Sequence, residues 1–85
     1  MISRQILNDA ITSPYTLIGN VLHTYSDYYL TKEEIYSKVA VDEQGVPLIT
    51  MSTIESALRS LIKSGAVEVA YVKGVRYFAE NRERR

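Results

Sequence analysis

The chain has 85 residues, and its 10 Lys and Arg are matched by 10 Asp and Glu, for a formal net charge of zero. That length supports one small core, residues 1–85 as a single domain, and is too short to enclose a substrate between two. The absence of cysteine excludes a disulfide framework and a thiolate zinc site. Hydrophobic and charged fractions of 46% and 24% are those of a globular chain rather than a disordered one.

Residues 3–12 read as a short helix capped by Ser3, with Ile2, Ile6, Leu7, Ala10 and Ile11 at helical spacing. Ser13-Pro14 ends it, because the residue before proline is pushed out of the helical region. A second helix begins at Pro14, with Leu17, Ile18, Val21, Leu22 and Tyr25 as its apolar stripe. Gly19 lies inside it and marks either a close helix–helix approach or nothing. Thr31-Lys32-Glu33-Glu34 is a capping box that opens a third helix, facing Ile35, Tyr36 and Val39 inward. The run from Asp42 to Pro47 is a turn. Ser52-Thr53-Ile54-Glu55 reads as a second capping box, followed by the apolar face Ile54, Ala57, Leu58, Leu61 and Ile62. Ser64-Gly65 stops that helix, with glycine in the left-handed C′ position.

Beyond Gly65 the pattern changes from helical to alternating. Val67, Val69 and Tyr71 alternate with Glu68, Ala70 and Val72. Lys73-Gly74 turns the chain, and Val75, Tyr77 and Phe78 form a return strand, a hairpin of about five residues a side. The polar residues from Glu80 to Arg85 are expected to fray.

Charge is not spread evenly over these elements. Residues 1–45 carry three cations against six carboxylates, a net −3, and residues 46–85 carry seven against four, a net +3. Such a split is what a one-faced anionic partner would select, although twenty charges can also divide so by chance. No apolar run approaches the ~18 residues of a membrane span. The start lacks the basic-then-apolar pattern of a secretory signal, so no membrane contact and a cytoplasmic location are expected.

Two stretches carry a resemblance: Leu30-Thr31-Lys32-Glu33-Glu34-Ile35-Tyr36, and Ser52-Thr53 running through Ala57-Leu58, Leu61 and Gly65 to Val67. With this element order the chain resembles winged helix-turn-helix DNA-binding domains over roughly residues 15–79. It is similar to the DNA-binding half of ferric-uptake-type regulators and to small phage, plasmid and archaeal regulators. The loop over residues 41–49 is longer than the tight turn of a strict helix-turn-helix. The metal-sensing histidines and cysteines of ferric-uptake regulators are absent, as is their dimerisation domain. The resemblance implies an α+β fold, mostly α: a three-helix winged-helix core plus a C-terminal β-hairpin wing, with residues 1–13 as an extra N-terminal helix.

It also implies double-stranded DNA as the partner and a small transcriptional regulator as the role. Ser52, Thr53 and Ser56 lie at the end of the recognition helix that meets base edges, with first-turn amides facing phosphate. Arg59 is one turn on and suits bidentate contact with guanine. Ser60 shares that face, and Lys63 and Lys32 are candidate phosphate contacts. Lys73 and Arg76 flank the wing tip. The same polar face is also what any surface helix presents, and Glu55 is spaced for an i, i+4 pair with Arg59. A winged helix used as a protein-interaction module without DNA is therefore the alternative.

The chain has seven tyrosines, one phenylalanine and no tryptophan. Tyr15, Tyr25, Tyr28 and Tyr29 gather near the second helix, where core rim, base stacking and a subunit interface are all open. His23 is the only histidine, so a metal would rest on carboxylates, and a structural role is expected for it. No cofactor and no nucleophile–base pair is readable, so an enzyme is not expected. Ile2, Ile6, Leu7 and Ile11 form a stripe too short to be stable alone. They must pack on the core or on a second copy. As small winged-helix regulators often dimerise through terminal helices, the resemblance implies a homodimer reading a palindromic site rather than simple capping of the core. With few cations per copy, tight binding would need that dimer or a helper protein.

Overall fold

The computed structural model describes residues 13–82. The expected helix over 3–12, with its interface residues Ile2, Ile6, Leu7 and Ile11, lies outside the described residues. Within them run α1 (Pro14–Thr24), α2 (Lys32–Lys38), α3 (Met51–Lys63), β1 (Val67–Val72) and β2 (Val75–Glu80). This is a small α+β fold, three helices followed by an antiparallel hairpin, and it is compatible with a winged-helix-like arrangement.

Pro14 stands in the first turn of α1, where its missing N–H costs nothing. Leu17, Ile18, Val21 and Leu22 are buried on one face of that helix. Gly19 is on the other face, and a Cβ added there would meet nothing within 4 Å. No close approach accounts for it.

The α2 capping box forms as the spacing predicts. The Thr31 hydroxyl accepts from the Glu34 amide at 3.2 Å, and the Glu34 carboxylate accepts from the Thr31 amide at 2.9 Å. The second expected box does not form. The N-cap of α3 is Thr50, in extended backbone, and its hydroxyl accepts from the Thr53 amide at 3.3 Å. Ile49 is the reason on one side: it is buried, which sets the loop's exit and lets the helix begin at Met51. Glu55 is the reason on the other, since its carboxylate accepts from Lys32 instead of turning back to Ser52.

At the far end of α3 the amide of Gly65 bonds the Ile62 carbonyl at 3.1 Å, and that of Ala66 bonds Leu61 at 2.9 Å. This is a Schellman closure, and it requires the positive φ of +84° at Gly65. The loop between α2 and α3 is more than a plain turn. The Asp42 carboxylate accepts from the amides of Gln44 and Val46, both at 2.9 Å, and Leu48 bonds back to Ala40.

The two strands have six residues each, and their register pairs Val69 with Phe78, Tyr71 with Arg76 and Val72 with Val75. A lone hairpin is marginal in water, and two anchors hold this one. Val67 and Phe78 enter the core formed with Leu22, Leu30, Ile35, Ile54 and Leu58. Fully burying each such side chain is worth roughly 1.5–3 kcal/mol. Leu30 also exchanges both backbone hydrogen bonds with Phe78, at 2.8 and 2.7 Å, so β2 is flanked on both sides.

The start of the expected frayed tail is docked instead. The Asn81 side chain donates to the Gly65 carbonyl at 2.9 Å and its amide to Ala66 at 3.1 Å. Arg82 donates to the Ser26 carbonyl and the Asp27 carboxylate. These partners are chain-turn carbonyls and an acid, which only the fold brings to the strand's end. Residues 83–85 lie outside the described residues.

Candidate nucleic-acid interface

The core stripe of α3 (Ile54, Ala57 and Leu58) is buried against the other helices and β1. Leu61 and Ile62 pack half-buried beside that stripe, and helical geometry turns most of the polar positions outward. Ser52, Ser56, Arg59, Ser60 and Lys63 are all exposed. Thr53, the other residue expected to read bases, is half-buried, and its hydroxyl is within hydrogen-bond distance of the Thr50 hydroxyl at 2.9 Å. Its amide is also taken by Thr50. Thr53 is thus part of the cap, and one of the first-turn amides expected to face phosphate is already satisfied.

Lys32 opens α2 and reaches across to α3, where its ammonium donates to the Glu55 carboxylate. That bond and the charge of Lys32 hold the Glu55 carboxyl below the usual carboxylate range, with smaller contributions from Arg76 and Arg59. Glu55 therefore does not spend itself on Arg59 as the i, i+4 spacing allowed. Among the described residues the ion pairs are His23–Glu80, Lys32–Glu55 and Arg82–Asp27, leaving Lys38, Arg59, Lys63, Lys73 and Arg76 outside any.

On the hairpin, Lys73 and Gly74 both take positive φ, +53° and +80°. With Val72 paired to Val75, this is the two-residue turn whose twist matches the strands. Glycine or asparagine is the usual occupant of Lys73's conformation; a lysine there is uncommon. Arg76 projects from the pair with Tyr71, and its guanidinium lies 5.8 Å from the centre of the Phe78 ring. Arg76, Arg59 and Lys32 line one cleft together with Glu55, over Leu58 and Phe78. Cations from three elements are thereby brought to one junction. Lys73 at the tip and Lys63 at the end of α3 do not line it.

Two contributors escaped the sequence. Glu55 reads as an obstacle there, whereas in the fold it is the hub of the cation cluster. Tyr15, 51% exposed, lines a groove with Pro14, Ser52, Thr53 and Ser56, beside the start of α3. Its separation from Ser52 hides this, since only the packing of α1 on α3 brings them together. The other tyrosines disperse: Tyr25 is half-buried under the Lys38 ammonium at 4.8 Å, and the exposed Tyr29 donates to Glu68 at 2.6 Å. That bond pushes the Tyr29 phenol above its ordinary value. His23 is exposed, with Nδ1 at 3.2 Å from the Glu80 carboxylate.

Among the described residues no three His, Asp or Glu side chains gather to hold a metal ion, and no helix is long and apolar enough to cross a membrane. No protein-family model matches the chain, and no curated protein matches it.

Proposed function

We propose that this chain is a winged-helix, sequence-specific double-stranded DNA-binding protein, a small cytoplasmic transcriptional regulator acting as a homodimer. The observation that carries the reading is the meeting of Arg59 on α3 and Arg76 on the hairpin on one side of the fold, at one cleft; Ser52 and Ser56 line a separate groove beside the start of α3. A helix seated in the major groove with a hairpin beside it needs its cations on that shared side. Arg59 is the candidate reader of a guanine edge, with Ser52, Ser56 and Ser60 small enough to allow close approach. Lys63, Lys73 and Arg76 are the candidate phosphate contacts. Lys73 adds an independent hint, because a lysine holds a turn position that asparagine or glycine fills with less strain.

The reading is tested by selecting from a randomised duplex pool with the full chain and with Arg59→Ala. The expected outcome is one enriched motif for the parent and lost preference at a single base position in the variant. An unenriched pool for the parent would sink it.

The alternative is a protein-interaction module, and one observation favours it. The wing tip exposes Tyr71, Val72 and Val75, at 68%, 52% and 46%, an apolar surface that a protein partner would cover. In that case binding would be insensitive to salt and to Arg59.

A further inference from the structure

Among the described residues Glu55 is the only carboxylate lining the cleft, against the cations Lys32, Arg59 and Arg76. One negative charge among three positive ones leaves two without a counter-ion there. The cations come from three separate elements, so their convergence is a product of the fold. Lys32 is tied by its bond to Glu55, and Arg76 rests over the ring of Phe78. Leu58 and Phe78 form the apolar floor beneath these charges. Carboxylate and phosphate oxygens are recognised by the same donor geometry, so a pocket that holds one is built for the other.

We propose that this cleft is a phosphate-group site occupied in the free protein by its own Glu55 side chain. The internal carboxylate keeps the cations gathered and at the same time competes with any external anion, so it holds affinity down. The low titration range of Glu55 agrees, since its three cationic neighbours favour the charged form. The phosphate can come from a nucleic-acid backbone or from a free phosphate; only the first source rests on the DNA-binding reading above.

The test titrates the full chain, as parent and as Glu55→Gln, with inorganic phosphate and separately with a DNA duplex. The readout is the NMR shift of the Arg59 and Arg76 side-chain Nε–H groups. Glu55→Gln is expected to bind inorganic phosphate roughly two- to fivefold more tightly than the parent, the size of one exposed charge interaction. Adding Arg76→Gln to that variant should cancel the gain, and unchanged circular dichroism would exclude misfolding. A gain for both phosphate and duplex supports the site with DNA as its source. A gain for phosphate with no duplex binding in any variant supports the site while the DNA-binding reading fails. Duplex binding that is equal in parent and Glu55→Gln, with no phosphate-induced shift in either, overturns the proposal and leaves the DNA-binding reading standing.

Discussion

Lys32 and Glu55, 23 positions apart, are joined across the junction of α2 and α3 by a charge-assisted hydrogen bond. This bond links the seven-residue α2 to the helix that presents the candidate recognition face, and it places a carboxylate among three cations. The pair is part-exposed, so its main effect is on where charges stand rather than on stability.

That pair has a pH signature. The Glu55 carboxyl is lower in the folded chain than in the unfolded one, chiefly through the Lys32 hydrogen bond and the Lys32 charge. Its stabilisation is therefore fully present above the ordinary carboxylate range and is lost as pH falls through the folded value. Thermal melts of the parent and of Glu55→Gln should differ most near neutral pH and converge in acid. A difference that grows as pH falls would contradict the assignment.

Capping is tested by two neighbouring hydroxyls. Thr50→Ala removes the N-cap of α3 and should cost about 1 kcal/mol in denaturant unfolding. Ser52→Ala should leave stability within about 0.5 kcal/mol, because Ser52 is exposed and caps nothing. The reverse order would restore the capping box expected from the sequence.

These two positions also mark the limit of what the sequence reveals. The Thr31–Glu34 box, the stop at Gly65 and the Lys73-Gly74 turn are local, each decided within a few residues, and all are legible. The start of α3 is not, since Ser52 to Glu55 has equally good box spacing and only the burial of Ile49 and the pull of Lys32 decide against it. Glu55 and Arg59 look like natural partners at i, i+4, while the partner 23 residues away leaves no trace in any periodicity. The docking of Asn81 and Arg82 is hidden for the same reason: polar composition reads as fraying until the Gly65 carbonyl and Asp27 are in place.

Gly19 provides a check on α1 alone. It is an exposed helix-interior glycine with open space around a Cβ. Gly19→Ala should stabilise the chain by roughly 0.5–1 kcal/mol, measured by chemical denaturation. A loss of stability would mean that the position makes a contact requiring glycine.

Lys73 separates turn geometry from charge. Lys73→Asn places a residue suited to φ of +53° in the turn and should raise stability by roughly 0.5–1 kcal/mol. If Lys73 contacts DNA phosphate, the same substitution weakens binding to all duplexes alike and reduces the salt slope by about 0.9. Stability and binding are then expected to move in opposite directions.

In the proposed reading, the face shared by α3 and the hairpin binds the DNA backbone through its cations. The most direct test is the affinity of the full chain for a duplex, by fluorescence anisotropy, across a series of salt concentrations. With each phosphate contact contributing about −0.9 to the slope of log affinity against log salt, three to five contacts predict a slope of roughly −2.7 to −4.5. No binding at the lowest salt, or an affinity that does not change with salt, would contradict the account.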